Sequence, residues 1–312
     1  MSRILVTGAT GFVGQGLVAR LAADGRAFRS AVRECGGGNA VAVGDIGPDT
    51  DWTAALEGID AVVHLAGRAH VFGAEADALT AFRKINNAGT ARLAEQAAHA
   101  GVRRFVLVSS VKAAADVTGL KAVTEADAPT PKTPYGLSKL EGERALLAAA
   151  GKMETVILRP PLVYGPGVRA NFLALLKLVD RGIPLPLGSV RNLRSLVARD
   201  NLADAILTAI DAPGVAGGTF YVTDGAPLST PDLIRGLAQT LGRSARLFPF
   251  PSALLRFPAA LIGRADAADS LLGSLVVDDT AFRVAAGWRP PATAAQAFAE
   301  VAAWYKRAKG TA

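Results

Sequence analysis

The chain has almost no cysteine, because Cys35 is the single thiol among its 312 residues. No disulfide can form within the chain, which excludes the small secreted scaffolds that depend on disulfide bonds. The residues around Cys35 do not have the spacing of a metal site, so we expect no bound metal. This composition fits a reducing, cytoplasmic compartment.

Long apolar runs are missing as well. No run approaches the roughly 20 residues that a membrane-spanning helix needs. The most apolar C-terminal stretch, 253–262, is interrupted by Arg256 and Pro258, so we expect a lid or a subunit contact there and no membrane span. A strand is predicted to start within the first few residues, which leaves no room for a signal peptide.

Aromatic residues are also scarce, at 6% of the chain, and they do not alternate with basic residues. A surface that stacks nucleic-acid bases needs both. The net charge is +7, but the basic residues are scattered along the sequence. We therefore expect no nucleic-acid partner, and a dispersed positive field that attracts small anions such as nucleotides.

Glycine, in contrast, forms a clear pattern near the N-terminus. Gly8, Gly11 and Gly14 follow the apolar run Ile4-Leu5-Val6, and a helical pattern of apolar residues continues to Leu21. In such a unit the first glycine permits a tight turn, the second lets backbone N–H groups approach a pyrophosphate, and the third lets the helix pack against the sheet. The helix N-terminus adds partial positive charge. The segment predicts a dinucleotide-binding site.

Strand-like apolar runs alternate with helical patterns through the first half of the chain. The runs lie at 3–7, 28–33, 40–45, 60–66, 104–109 and 155–159. This order predicts an α/β fold with a Rossmann, doubly wound parallel sheet that binds ligands at the carboxyl ends of its strands. We expect a dinucleotide-binding domain at 1–165 and a smaller C-terminal substrate lobe at 166–312. A strand near 219–223 is expected to return to the main sheet.

A tyrosine and a lysine, Tyr135 and Lys139, lie four residues apart at the start of a predicted helix, so their side chains share one face. A free tyrosine has a pKa of about 10, and a neighbouring ammonium favours its phenolate form. Ser109 and Ser110 end another predicted strand, where a hydroxyl can hydrogen-bond a reacting oxygen beside Tyr135. The set suits proton transfer to a carbonyl that accepts hydride.

These motifs resemble the extended short-chain dehydrogenase/reductase family, of the NAD-dependent epimerase/dehydratase type, whose cofactor motif is TGxxGxxG and whose catalytic set is a serine with YxxxK. The resemblance covers nearly the whole chain, including the segment 159–167. It implies that Ser110, Tyr135 and Lys139 are catalytic. Ser110 is chosen over Ser109 because, in relatives similar to the nucleotide-sugar 4-epimerases, the serine lies twenty-five positions before the tyrosine.

The resemblance also implies a set of cofactor contacts. Asp45 and Ile46 are expected at the adenine, and Asn86 is expected to order the site. The remaining expected contacts are Gly8, Thr10, Gly11, Phe12, Val13, Gly14, Leu65, Ala66, Gly67, Tyr135, Lys139 and Pro161.

Arg33 ends the second predicted strand. An acidic residue there would bond the ribose 2′-hydroxyl of NAD, whereas an arginine suits the 2′-phosphate of NADP. NADP is therefore expected ahead of NAD, with a solvated surface charge as the alternative interpretation of Arg33.

For the substrate, the resemblance to nucleotide-sugar enzymes implies that Asn171 and Arg194 hold the diphosphate and that Lys112 lies near the sugar or its phosphate. The stretch 194–200 lacks the first Asp, the aromatic residue and the His of the epimerase pattern RDYxHVxD, which argues against ordinary galactose epimerase activity. The segments 109–112, 171–173 and 184–188 together look closest to bacterial UDP-4-keto-6-deoxy-sugar reductases of polysaccharide pathways.

Three functions stay open. The first expectation is reduction of the C4 ketone of a nucleotide-linked sugar, expected to be UDP-linked, with Tyr135 as the proton donor. The alternatives are an NAD-dependent nucleotide-sugar 4-epimerase and a non-catalytic protein that senses NADP(H). Helices near 79–100 and 135–149 occupy positions through which relatives form dimers, so the resemblance also implies a homodimer.

Overall fold

The computed structural model describes residues 3–34, 37–69, 77–119, 121–251, 254–255 and 271–310. Cys35 and most of the apolar stretch 253–262 lie outside these residues, so the expectations for them are untested. Within the described part of the chain, no helix is both long and apolar enough to cross a bilayer. The same part holds no group of three His, Cys, Asp or Glu side chains placed to bind a metal ion.

A parallel sheet of seven strands, counted over the described residues, forms the centre of the molecule. Its strands are β1 (Ile4–Thr7), β2 (Phe28–Val32), β3 (Ala40–Ala42), β4 (Ala61–His64), β5 (Arg104–Val108), β6 (Glu154–Arg159) and β9 (Thr219–Tyr221). Their order across the sheet is β3-β2-β1-β4-β5-β6-β9, so the direction of winding reverses between β1 and β4. The predicted Rossmann-like α/β fold is confirmed, and a ligand crevice is expected at this reversal.

The helices cover both faces of the sheet and build a second cluster beyond it. They are α1 (Phe12–Ala23), α2 (Thr53–Leu56), α3 (Ala78–Arg83), α4 (Thr90–His99), α5 (Pro134–Ala149), α6 (Ala170–Asp180), α7 (Arg199–Asp211), α8 (Thr230–Leu241), α9 (Thr280–Ala286) and α10 (Ala294–Gly310). A single π-helical turn (Lys84–Gly89) joins α3 to α4, and short 3-10 turns occur at Val111–Ala113 and Pro213–Val215.

The alternation of side chains along a strand explains why both faces of the sheet are apolar. In β1, Ile4 and Val6 pack into one core with Leu17 of α1. The residue between them, Leu5, packs into the opposite core with Leu93 of α4. These side chains are completely buried.

The second cluster contains a two-stranded parallel sheet of β7 (Leu162–Tyr164) and β8 (Leu196–Ala198), packed with α6, α8 and α10. Asp224, which follows β9, joins this cluster to the main sheet. Its carboxylate accepts hydrogen bonds from the Tyr164 hydroxyl (2.7 Å), the Ala198 backbone nitrogen (2.8 Å) and the Asn201 amide (2.7 Å). Burial raises the pKa of Asp224, although these donors oppose the change.

Two predicted elements differ from the structure. The strand expected at 40–45 ends at Ala42, and Gly44 adopts a left-handed φ of 68° shortly afterwards. The single helix expected over 79–100 is interrupted by the π-helical turn at 84–89. In both places the local backbone departs from the regular pattern close to the predicted cofactor site.

Candidate active site

The glycine-rich turn after β1 forms a closed cradle. Gly8 has a φ of 68°, and a Cβ on it would lie 2.7 Å from the backbone nitrogen of Ala66. A Cβ on Gly14 would lie 2.1 Å from the Gly8 carbonyl oxygen. The Gly11 N–H donates to that same carbonyl at 2.9 Å, and Gly11 begins α1 without a side-chain cap. The residues therefore fit a pyrophosphate held by backbone N–H groups at the start of α1.

The other predicted residues of this segment surround the cradle. Thr10 is exposed, whereas Phe12 and Val13 are half-buried in the first turn of α1. The Phe12 ring lies beneath the guanidinium of Arg199, 5.9 Å from ring centre to Cζ. Phe12 thus connects the cradle to the start of α7.

Leu65, Ala66 and Gly67 follow β4 beside the cradle. The Leu65 N–H donates to the Thr7 carbonyl oxygen at 3.3 Å, and the Ala66 N–H donates to the Thr7 hydroxyl at 3.2 Å. That hydroxyl also lies 2.7 Å from His64 Nδ1. Burial, followed by the charge of Lys139, lowers the pKa of His64 to about 3, so His64 is neutral at ordinary pH.

Asn86 lies in the π-helical turn, and hydrogen bonds to Arg68 and Ser138 fix its side chain. Its amide donates to the Arg68 carbonyl oxygen (2.9 Å) and to the Ser138 hydroxyl (3.0 Å), and its Oδ1 accepts from the Arg68 N–H (2.8 Å). A Cβ on Gly67 would lie 3.0 Å from that Oδ1 and 3.8 Å from Lys139 Nζ. The structure therefore brings Gly67, Asn86 and Lys139 together.

Helix α5 carries both Tyr135 and Lys139, and its beginning is fixed by side chains. Thr133 caps the helix by accepting the Gly136 N–H at 3.2 Å. Gly136 packs closely on the turn at 111–113, because a Cβ there would lie 2.3 Å from the Lys112 carbonyl oxygen. The start of α5 is thereby held against the strand end that carries Ser110.

Lys139 is buried, and its Nζ donates to the Val108 carbonyl oxygen at 3.1 Å. Burial lowers the pKa of Lys139 to about 8, and the negative charge of Glu143 opposes that change. The ammonium is thus poised to gain or lose a proton only slightly above neutral pH.

The Tyr135 hydroxyl is buried, and the expectation that the Lys139 ammonium favours its phenolate form stays a prediction. Burial raises the pKa of the Tyr135 hydroxyl above its ordinary value, and the group that lowers it is the hydroxyl of Ser110. The reason is that the surrounding protein disfavours the phenolate, which the sequence could not reveal. The protonated phenol is therefore the form of Tyr135 that these surroundings favour.

The two neighbouring serines have different surroundings. Ser109 is buried, and its hydroxyl donates to Glu143 at 2.5 Å. Ser110 is half-buried, accepts the Lys112 N–H at 3.2 Å and faces Tyr135. Sequence reasoning missed Glu143, although its spacing of four from Lys139 placed it on the same helix face.

Arg33 and Asp45 meet at the ends of β2 and β3. Their side chains form an ion pair of 2.9 Å and are more than four-fifths exposed. Arg33, predicted to bind a 2′-phosphate, and Asp45, predicted to lie at the adenine, are thus partners of each other in this structure. Ile46 lies against the π-helical turn, since a Cβ on Gly89 would lie 2.7 Å from its Cγ2.

The expected substrate residues lie on three separate elements. Lys112 forms an ion pair of 2.9 Å with Asp116, which also accepts the backbone N–H of Lys132. Asn171 is exposed in the first turn of α6. Arg194 is half-buried and donates to the Gly273 carbonyl oxygen at 3.1 Å, and burial lowers its pKa. Pro161 is buried after β6, beside the segment that leads to the second cluster.

A family model matches residues 4–222 of this chain, and its description is the NAD dependent epimerase/dehydratase family. The chain belongs to that family. The resemblance noted from its motifs is therefore confirmed, and the chain is an enzyme of an NAD-dependent type.

Individual relatives agree with this assignment. A UDP-glucose 4-epimerase of Vibrio cholerae is 44% identical over 309 residues, covering 96% of this chain and 94% of the relative. A ceramide reductase of Caulobacter vibrioides is 30% identical over 272 residues, with coverage of 83% and 77%. Among solved structures, MoeE5 in complex with UDP-glucuronic acid and NAD has a TM-score of 0.79 at 24% identity, with coverage of 98% and 99%. This last likeness supports the fold.

Proposed function

We propose that this protein is an NAD-dependent 4-epimerase of nucleotide-linked sugars, with UDP-sugars as the expected substrates. The observation that carries the proposal is the grouping of Ser110, Tyr135 and Lys139 in a chain 44% identical to a UDP-glucose 4-epimerase. The motifs of the sequence alone favour a reductase. The similarity to an epimerase over almost the full length of both chains favours the alternative.

The residues of the chain suit oxidation and reduction at a secondary alcohol. NAD, held at the glycine cradle, would supply a hydride acceptor that returns the hydride later in the cycle. The Tyr135 phenolate would accept the proton of the C4 hydroxyl as the hydride leaves C4, and the resulting phenol would return the proton to that oxygen when the hydride comes back. Ser110 would hydrogen-bond the same oxygen in both steps. A Lys139 ammonium beside Tyr135 favours the phenolate when the proton leaves. Epimerisation requires the sugar to present its other face before the hydride returns.

A 4-ketoreductase is the second candidate, and two observations favour it. The stretch 194–200 departs from the epimerase pattern, and Arg33 is exposed at the position that selects a 2′-phosphate. A reductase would use the same three residues once and release the product. NADP would then be the preferred cofactor, since the guanidinium of Arg33 forms a planar fork that suits phosphate.

Cofactor retention separates the two candidates. An epimerase keeps its cofactor through the cycle, whereas a reductase must exchange it. The purified protein should therefore release NAD on denaturation, detected by mass spectrometry, and should convert UDP-glucose or UDP-N-acetylglucosamine to the C4 epimer without added cofactor. Net oxidation of NADPH by a UDP-4-keto-6-deoxy sugar, with no retained NAD, would establish the reductase instead. Cofactor binding without any turnover of either substrate class would favour the sensing protein.

We also infer two features of organisation. Residues 1–165 are proposed to bind the cofactor and 166–312 mainly the nucleotide sugar, with β9 returned to the main sheet. A homodimer is proposed through the α3–α4 region and α5, and light scattering that finds only monomer would contradict it. A cytoplasmic location is proposed from the composition.

A further inference from the structure

A buried charge cluster lies directly beneath the candidate catalytic residues. Glu143 accepts hydrogen bonds from Arg159 Nε at 3.0 Å and Nη2 at 2.6 Å, and from the Ser109 hydroxyl at 2.5 Å. The side chains of Glu143 and Arg159 are only 3% and 7% exposed. We name Glu143, Arg159 and Ser109 the buried clamp.

The clamp joins three elements that all carry predicted site residues. Ser109 ends β5 and directly precedes Ser110, while Arg159 ends β6 two residues before Pro161. Glu143 lies on α5, one turn beyond Lys139 and two turns beyond Tyr135 on the same helix face. The clamp therefore connects the helix of the proton-transfer residues to the strand ends that face them.

Backbone hydrogen bonds support the same connection. The Ser109 N–H donates to the Leu158 carbonyl oxygen at 2.8 Å, and the Val111 N–H donates to the Pro160 carbonyl oxygen at 2.9 Å. Lys139 itself donates to Val108, immediately before Ser109. A small shift of Glu143 would thus move both strand ends relative to α5.

Glu143 also acts on Lys139 through charge. It is the group that raises the pKa of Lys139 against the effect of burial. His64 faces Lys139 from β4, but burial keeps His64 neutral. The other charged or titratable side chains on elements packed around Lys139 include Tyr135 and Glu141 of α5, Arg83 of α3, Lys84 of the π-helical turn, Lys112 of the 3-10 turn and Arg159 of β6.

We propose that Glu143 is a positioning residue for the proposed epimerisation, on which this inference rests. It holds the strand ends that carry Ser110 and Pro161 against α5. It also supplies the negative charge that faces the Lys139 ammonium. It touches neither substrate nor cofactor in this role. A purely structural ion pair would stabilise the fold without any effect on the protonation of Lys139.

The first test replaces the charge with a neutral side chain of the same shape, Glu143→Gln. The alkaline midpoint of the pH profile of kcat should move to lower pH by about one unit, because Lys139 loses its nearby anion and deprotonates more easily. The matched control is Glu141→Gln on the same helix, where Glu141 pairs with Arg83 at the surface. That control should leave the midpoint in place. An unchanged midpoint in Glu143→Gln, or an equal shift in Glu141→Gln, would overturn the proposal.

A second readout does not depend on activity. The folded state lowers the pKa of Lys139, so its ammonium destabilises the fold below about pH 8, and this effect fades as pH rises toward the unfolded pKa of 10.5. The measurement is the free energy of unfolding as a function of pH, for the wild type and for Glu143→Gln, each compared with the same protein carrying Lys139→Met. The rise in stability that depends on Lys139 should begin at lower pH in Glu143→Gln than in the wild type. If the rise begins at the same pH, Glu143 does not act on Lys139, whether or not the enzyme is an epimerase. If the rise begins at lower pH while no nucleotide sugar is turned over, the proposed function fails, but the effect of Glu143 on the protonation of Lys139 stands.

Two further variants cover loss of folding and separate the two parts of the role. Should Glu143→Gln not fold, the double variant Glu143→Gln/Arg159→Met leaves no unpaired buried charge. It should still shift the midpoint downward, although by less, because Glu143 is the charge that acts on Lys139 and the loss of the Arg159 cation offsets part of its effect. Ser109→Ala removes one bond of the clamp without changing charge. It should lower kcat by about tenfold with an unchanged pH midpoint. Full activity in Ser109→Ala would refute the clamp, and an unshifted double variant would refute the effect on Lys139.

Discussion

Two arginine–carboxylate ion pairs involve or adjoin predicted site residues, and they differ almost completely in exposure. In the pair Arg159–Glu143, which adjoins the strand end that carries Ser110, the side chains are 7% and 3% exposed. Arg33–Asp45, at the ends of β2 and β3, has side chains 81% and 85% exposed. Arginine and a carboxylate meet in both, at 2.6 Å and 2.9 Å.

The comparison shows that burial decides what an arginine–carboxylate pair contributes to the protein. A buried pair has lost its hydration, so removing one partner strands a charge in the protein interior. It therefore fixes geometry and changes the pKa of its neighbours. An exposed pair is screened by water and salt and contributes little to stability. The exposed pair, Arg33–Asp45, can therefore rearrange around a ligand, whereas the buried pair, Arg159–Glu143, cannot.

The largest expected effect is at the candidate catalytic residues. Tyr135→Phe should lower kcat by about 10² to 10⁴, the range of general acid–base catalysis, while the cofactor still binds and the circular dichroism spectrum stays unchanged. The control Tyr305→Phe removes a hydroxyl that contacts Asp180 from α10 and should leave kcat unaltered. Wild-type turnover in Tyr135→Phe would place the proton transfer on another group.

The next effect tests the buried pair directly. Arg159→Met should lower the free energy of unfolding by about 3 to 5 kcal/mol, because Glu143 is left as an unpaired buried charge. Arg33→Met, the same change in the exposed pair, should leave it unaltered. Urea denaturation measures both. Equal losses would show that exposure is not what separates the two pairs.

The smallest expected effect concerns cofactor choice. Arg33→Ser should reduce the ratio of NADP affinity to NAD affinity by about tenfold, since one charge-assisted contact to a 2′-phosphate is lost. Isothermal titration with each cofactor gives the ratio. Arg29→Ser offers a control on the same strand, where the guanidinium bonds the carbonyl oxygens of Ala54 and Ala55. A ratio unaffected by Arg33→Ser would leave Arg33 as a surface charge.

The sequence predicted the central sheet and the residues of its carboxyl edge because both have strong local signals. Gly8 and Gly14 occur at a fixed spacing after an apolar run, and Tyr135 and Lys139 at one helical repeat. The short strands β7 and β8 were not predicted. Their pairing depends on contacts between distant parts of the chain.

The chemistry of single groups was harder to predict than their location. The pKa of Tyr135 depends on burial, which only the folded chain defines. The pairing of Arg33 with Asp45 depends on where β2 and β3 end relative to each other. Glu143, in contrast, had a local signal, because it repeats the spacing of Tyr135 and Lys139.

The wide turn at 84–89 has a consequence for how this enzyme tolerates change. Gly142 packs so closely on it that a Cβ there would lie 2.1 Å from the Asn86 carbonyl oxygen. Removing one residue would restore a regular helix, but it would rotate the preceding segment by about 100° and turn the Asn86 amide away from Ser138. Substitutions are therefore easier to accept in this helix than insertions or deletions. The π-helical turn therefore fixes the number of residues in this segment, and a regular helix one residue shorter would no longer place Asn86 in the candidate site.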